Sequence, residues 1–299
     1  MRAIEDILKY SEEKHLTLPE AILAMDEEFS GVPEGEIRTK IFSRLKDMAR
    51  SVSESEGNEA PCKFLPITGE PLRGYAERTS GGLCGQFILD ASAKALEVAT
   101  YNSTMGRIVA APTAGSCGIL PGLLFAWKEL RADEYEDIER RLVDALIIAG
   151  AIGEVIANRA TLAGADGGCQ AECGAAAAMG AGSLVFLEGG TKEMVADAVA
   201  LTIKSVLGLV CDPVGGLVEI PCIKRNGMLV ALGALAADMA LAGIKSAIPV
   251  DEVIDTMSRV GRAIPPSLRE TSQGGLATTP TAKKLVGALK KRSIFEDQE

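Results

Sequence analysis

Leu142-Val143-Asp144-Ala145-Leu146-Ile147-Ile148-Ala149-Gly150-Ala151-Ile152-Gly153-Glu154-Val155-Ile156 decides the fold class. The run is too short for a membrane span, and Asp144 and Glu154 interrupt it, so it reads as a buried core helix. The next apolar run, Met228 to Leu241, is interrupted by Asp238. Around these runs the hydrophobic period predicts helices over about 136–163, 170–187, 191–209, 227–244 and 250–263. Strand-type alternation is scarce, and the 4% aromatic content points the same way. With 32 glycines and abundant alanine, helix backbones can approach closely. The expected fold is all-α, with helix packed on helix and glycine-rich loops between.

Outward from that core, residues 1–50 read as two or three amphipathic helices. Ile4, Ile7 and Leu8 repeat at helical spacing, and Thr17 with Glu20 three residues on marks a helix start. Ile37, Ile41, Leu45 and Met48 step along one face, with Phe42 beside them. Residues 51–61 read as a polar connector. A loop-rich stretch follows, with Thr68-Gly69-Glu70 and Thr79-Ser80-Gly81-Gly82-Leu83. Helix returns from Ile88 to Ala99, breaks at Pro112-Thr113-Ala114-Gly115-Ser116-Cys117-Gly118, and resumes at Pro121. The charged tail from Lys283 to Glu299 is expected to fray. No repeat of 20–50 residues is visible. The domain expectation is an N-terminal helical segment, 1–50, continuous with a catalytic unit over 51–299.

At 299 residues, 47% hydrophobic and 24% charged, the chain has the composition of a soluble globular protein. A net charge of −10 repels phosphate backbones and anionic membranes, so neither nucleic acid nor membrane is expected as a partner. The start, Met1-Arg2-Ala3-Ile4-Glu5-Asp6, carries acids where a signal peptide needs an apolar core. The expectation is cytoplasmic, with seven cysteines kept reduced.

Three of those cysteines sit at breaks: Cys169 after Gly167-Gly168, Cys211 before Asp212-Pro213, and Cys222 after Pro221, spaced 42 and 11 residues apart. Thiolates at helix ends and turns can converge on one metal centre, and three soft ligands are an incomplete set for iron or zinc. An incomplete set leaves a position for substrate. The bland alternative is three packing cysteines. The glycine and proline contexts favour ligation. Cys173, four residues after Cys169, shares its helix face and is either a fourth ligand or, on an Ala-rich helix, a packing residue. Cys62, Cys84 and Cys117 have no spacing partner.

The loop containing Thr113, Gly115 and Ser116 precedes a helix, and its N–H and hydroxyl groups could cradle a carboxylate. The loop with Ser80 is similar in kind. His15, the only histidine, reads as a surface residue, which argues against Ser-His or Cys-His machinery. Lys224-Arg225 could offer cations to an anionic substrate. No nucleotide-binding glycine motif appears.

The chain resembles the α subunit of the iron–sulfur-dependent L-serine dehydratase family (L-serine ammonia-lyase). The resemblance lies in Met105-Gly106-Arg107 leading to Ala111–Ser116, in Gly167–Glu172, in Gly208–Cys222 and in Leu268–Ala277. It implies a largely helical catalytic domain and an oxygen-sensitive [4Fe–4S] cluster held by Cys169, Cys211 and Cys222. One iron without a protein ligand would act as Lewis acid on the hydroxyl of L-serine. Loss of water then gives aminoacrylate, which yields pyruvate and ammonia, a step of amino-acid degradation and gluconeogenesis. The resemblance further implies a heterodimer with a β subunit, whose Ser-Ser-His motif is absent here and could supply the base. Thr113, Gly115, Ser116 and, secondarily, Ser80 are the expected substrate contacts. Some fused relatives cap the open iron with a C-terminal cysteine; the tail here has none. The competing expectations are a pyridoxal-phosphate dehydratase using Lys204 or Lys224, a zinc-stabilised non-catalytic subunit, and a related lyase acting on another amino acid.

Overall fold

The computed structural model describes residues 1–58, 62–65 and 69–296, the last five as backbone. Residues 59–61 of the expected connector, Thr68, and 297–299 of the tail lie outside the described residues. The chain is all-α. In order the helices are α1 (Ile4–Lys14), α2 (Leu18–Ser30), α3 (Glu34–Ser55), α4 (Gly69–Arg78), α5 (Gln86–Ser103), α6 (Ile119–Leu130) and α7 (Ile138–Arg159). They continue with α8 (Gly164–Gly167), α9 (Ala175–Leu187), α10 (Lys192–Ser205), α11 (Cys222–Leu241), α12 (Val250–Ala263) and α13 (Pro280–Glu296). Among the described residues the only β pairing is an isolated parallel bridge between Cys211 and Arg269.

Helix α9 is the centre. Every residue of it except Phe186 is buried, and it is packed by α6, α7, α10 and α11. A helix apolar on all faces must be surrounded. Its small residues make that possible: a Cβ on Gly233 of α11 would lie 2.9 Å from the Ala177 carbonyl oxygen of α9. The apolar run from Leu142 to Ile156 is the buried heart of α7.

The N-terminal helices are fastened to this core by polar contacts as well as by their apolar faces. The buried Asp251 carboxylate of α12 accepts from the Ile4 and Glu5 N–H groups, each at 3.0 Å, and so caps α1. Arg38 of α3 donates to Asp144 of α7 at 2.6 Å. The start of α2 is as expected, with the Glu20 carboxylate accepting from the Thr17 N–H at 2.8 Å.

Two local expectations are corrected. Residues 51–55 continue α3, because Ser51, Val52 and Ser55 face inward and both serine hydroxyls donate back to helix carbonyls. The loop-rich stretch contains α4, held to α5 by Arg73, which donates to Glu97 at 2.5 Å. Backbone up to Glu296 is helical in α13. Polar composition hid the first two, since serine and charged side chains can sit on a helix whose partners satisfy them.

Candidate active site

Three segments converge at one end of α9. Cys169 follows Gly168, whose φ of +77° suits glycine, and leads into a π-helical turn over Gln170–Gly174. Cys222 opens α11, and Cys211 lies in the extended link after α10. The fully buried Gln170 locks the first to the third: its N–H donates to the Leu209 carbonyl at 3.2 Å, its Oε1 accepts from Gly208 N–H at 2.9 Å, and its Nε2 donates to the Met257 carbonyl at 3.0 Å. Arg225, one turn into α11, donates to the Val210 carbonyl at 2.8 Å and to Asp212 at 2.9 Å, gripping both sides of Cys211.

Residues 268–276 form a strap along that link. Cys211 N–H donates to the Leu268 carbonyl at 2.9 Å and Glu270 N–H to the Cys211 carbonyl at 2.6 Å. Ser272 donates to the Pro213 carbonyl at 2.6 Å, and the Asp212 carboxylate accepts from Leu276 N–H at 2.8 Å. The strap holds Glu270 and Ser272 at φ of +64° and +56°, a strain that this lacing over-determines.

The thiols of Cys169, Cys211 and Cys222 are buried and close enough to feel one another's charge. Burial pushes the Cys222 thiol up to about 12, with the charges of Cys169 and Glu172 adding to the lift. Burial also raises Cys211, helped by Glu172 and Cys169. Cys169 goes the other way: its hydrogen bond with Cys173 is the largest cause of a lowered pKa and the Arg225 cation assists, while the same pair raises the Cys173 thiol. Among the described residues, no three His, Cys, Asp or Glu side chains converge tightly enough to hold a single metal ion.

The Pro112–Gly118 loop is fastened onto this sulfur group from two sides. The fully buried Asn226 of α11 donates to the carbonyls of Gly115 (2.8 Å) and Cys222 (2.9 Å) and accepts from Gly118 N–H (2.9 Å). Glu172 accepts from the Thr113 hydroxyl at 3.0 Å and from the Cys211 thiol at 3.7 Å. Burial lifts the Glu172 carboxyl above the usual carboxylate range, against the pull of the Thr113 hydrogen bond. A Cβ on Gly164 would lie 2.5 Å from Glu172 Oε2 and 3.1 Å from Cys211 Sγ, so α8 contributes bare backbone here. Cys173 donates to the Gly115 carbonyl at 3.9 Å. Ser116 is fully buried, and its hydroxyl turns to the loop itself, 3.2 Å from Thr113 Oγ1.

Thr113, Gly115 and Ser116 are therefore gathered with Cys169, Cys211 and Cys222. Ser80 stands apart, exposed at φ +51° after α4, and among the described residues no hydrogen bond ties it to the thiols. His15 is exposed at the end of α1. Lys204 donates to Ser246 at 3.0 Å and Lys224 is exposed. Cys117 is a packing thiol, pushed up to about 12 by burial. Cys62 lies 3.1 Å from the Ser103 hydroxyl. Sequence reasoning missed Gln170, Glu172 and Asn226 as site-builders. The first two stand in the turn after Cys169, but Asn226 carries no signal beyond its place one turn after Cys222.

A family model described as "Serine dehydratase alpha chain" matches residues 9–277, which include all of this assembly. The chain belongs to that family. It is 43% identical over 287 residues to a Bacillus subtilis protein named "Probable L-serine dehydratase, alpha chain", covering 95% of this chain and 93% of the other. The "L-serine dehydratase, alpha chain" of Peptoniphilus asaccharolyticus is 39% identical over 286 residues, 95% of this chain and 97% of that one. A longer Streptomyces coelicolor "L-serine dehydratase" is 35% identical over 285 residues, 92% of this chain but 60% of its own length. As a serine dehydratase alpha chain, the molecule has no helix, among the described residues, long and apolar enough to cross a membrane.

Proposed function

We propose that this protein is the catalytic α chain of a cytoplasmic, iron–sulfur-dependent L-serine dehydratase, converting L-serine to pyruvate and ammonia with a β subunit as partner. The observation that carries the reading is the gathering of three buried thiols and the Thr113–Ser116 loop around Glu172 and Asn226. The donor set fits a [4Fe–4S] cluster. Buried cysteine thiols are the soft ligands that iron–sulfur clusters take. Metal binding would also remove the protons that burial keeps on Cys211 and Cys222.

Cys169, Cys211 and Cys222 would hold the cluster, which when bound supplies an iron without a protein ligand as Lewis acid for the departing hydroxyl. Arg225 places a fixed positive charge beside Cys169, offsetting thiolate charge. Thr113 and the Gly115 backbone orient the substrate's carboxylate or amine, while Ser116 shapes the loop. Cys173 stays outside the ligand set and serves as a hydrogen-bond donor to Gly115. The base that takes the Cα proton comes from the partner chain, since the sole histidine is exposed on α1. Loss of the proton and the β-hydroxyl releases one water and leaves an enamine. The enamine tautomerises to an imine, and water then yields ammonia and pyruvate.

The test is oxygen-free co-expression with the β chain, followed by iron and acid-labile sulfide analysis and an assay for pyruvate from L-serine. Iron and sulfide near four each per α chain, with activity lost in air, is the expected result. Zinc without sulfide, or activity abolished by borohydride, would overturn it.

A further inference from the structure

An apolar groove of about 640 Å³ runs between α4, α5 and α11 on the outer side of the helix that begins with Cys222. Its floor exists because α5 and α11 meet closely: Ser92 donates to the Gly227 carbonyl at 2.9 Å, and a Cβ on Gly227 would lie 2.9 Å from Leu96. One wall is Leu72 of α4; the other is Met228 of α11, 72% exposed. The apolar surface continues along α11 to Leu235, 59% exposed and seven residues on, so on the same face. At the α4 end stands Leu83, fully exposed on the turn beside Cys84, which lines the groove. Lys224 is the groove's only charged lining residue, on a chain of net charge −10.

The geometry points to this groove as the docking surface for the β chain, seated through an apolar segment that carries an acidic residue opposite Lys224. The inference rests on the function proposed above. Two further observations choose the occupant. The Streptomyces coelicolor relative carries the matched part as only 60% of its length, so a second segment travels covalently with this unit there, whereas alpha chains are matched over nearly their whole length. The charge pattern of the groove supports that segment as the occupant. A groove whose lining holds one cation and no carboxylate suits an apolar, locally acidic partner. A chain seated along α11 also reaches its N-terminus, where Cys222 lies, and so arrives next to the thiols from outside.

The experiment is anaerobic co-expression of the α and β chains with titration of the purified complex, using Met228→Asp and Leu83→Asp, with Phe29→Asp as control. Phe29 is 89% exposed on α2 and lines no part of the groove. The expected result is a loss of affinity for β of about 30-fold or more in the two groove variants. Phe29→Asp should bind as wild type, and all three should keep the wild-type unfolding temperature. Hydrogen exchange of the wild-type complex should show protection over α5 and α11. Undiminished binding by both groove variants, or protection elsewhere, overturns the surface while leaving serine dehydration by the wild-type complex standing. A wild-type α chain that dimerises alone, and becomes monomeric on Met228→Asp, gives the groove to a second copy and likewise overturns the proposal. A wild-type pair that binds but makes no pyruvate is the separate failure of the functional reading.

Discussion

Two loops of this protein have nearly the same composition and opposite fates. Thr79–Gly85 and Pro112–Gly118 each combine hydroxyl residues, glycines and one cysteine. The first turns outward and relies on its own backbone: Ser80, Gly81, Gly82 and Gly85 all have positive φ, and Leu83 is fully exposed. The second needs no positive φ and is buried at Ser116 and Cys117. What separates them is partners. Asn226 and Glu172 reach the second loop from distant segments and tie it to Cys222 and Cys211. A hydroxyl-and-glycine loop becomes part of a site when buried polar side chains from elsewhere need its backbone, because buried polar groups must find partners.

The largest effect should come from the sulfurs themselves. Cys211→Ser should abolish both iron–sulfide content and pyruvate formation; a variant with full iron content would refute the ligand assignment. Cys173→Ala, in contrast, should retain its iron. Next comes Asn226→Ala, which strands the buried Gly118 N–H and cuts the tie between Gly115 and Cys222. It should destabilise the fold by about 2–4 kcal/mol and lower kcat/KM at least about tenfold, measured by denaturant titration and steady-state assay. If stability falls and catalysis does not, the fastening of the loop to Cys222 is structural only.

Thr113→Val should raise KM for L-serine about tenfold while changing unfolding free energy by no more than about 1 kcal/mol. Ser80→Ala should change KM by less than about twofold. An effect of Ser80 as large as that of Thr113 would mean that both loops reach the substrate, and the contrast between them would fail. A pH-dependent effect concerns α4, which delivers the outer loop. Burial raises the Glu97 carboxyl from 4.5 to about 7, against the pull of Arg73. Between those values the folded state holds a proton that the unfolded chain releases, so this group's contribution makes stability fall as pH rises from 4.5 to 7. Glu97→Gln should flatten that slope, by on the order of 1–2 kcal/mol across the interval, in melts recorded at pH 5 and pH 7.5.

Much of the fold was legible locally. The helical period over 136–163 and 250–263 matches α7 and α12 closely, because each helix carries its own apolar face. The expected connector at 51–61 and the loop-rich stretch after it concealed the end of α3 and all of α4, where serine hydroxyls bond back within the helix and Arg73 pairs with Glu97 of α5. In the site, the cysteine turns announced themselves through Gly167-Gly168, Asp212-Pro213 and Pro221. Gln170, sealed at 0% exposure between Gly208 and Met257, did not, since nothing in its neighbours distinguishes it from a surface glutamine.

The sequence by itself determined the helices, the breaks between them and the three thiols placed at those breaks, since period, glycine and proline act over a few neighbouring residues. Only the tertiary structure decided that the Thr113 loop, and not its look-alike at Ser80, joins the sulfurs. It also decided that Glu172, Asn226 and Arg225 bind the assembly together. The physical reason is distance along the chain: Gly115 and Asn226 lie 111 residues apart and meet only when α11 packs beside α5, α6 and α9, which no local pattern records.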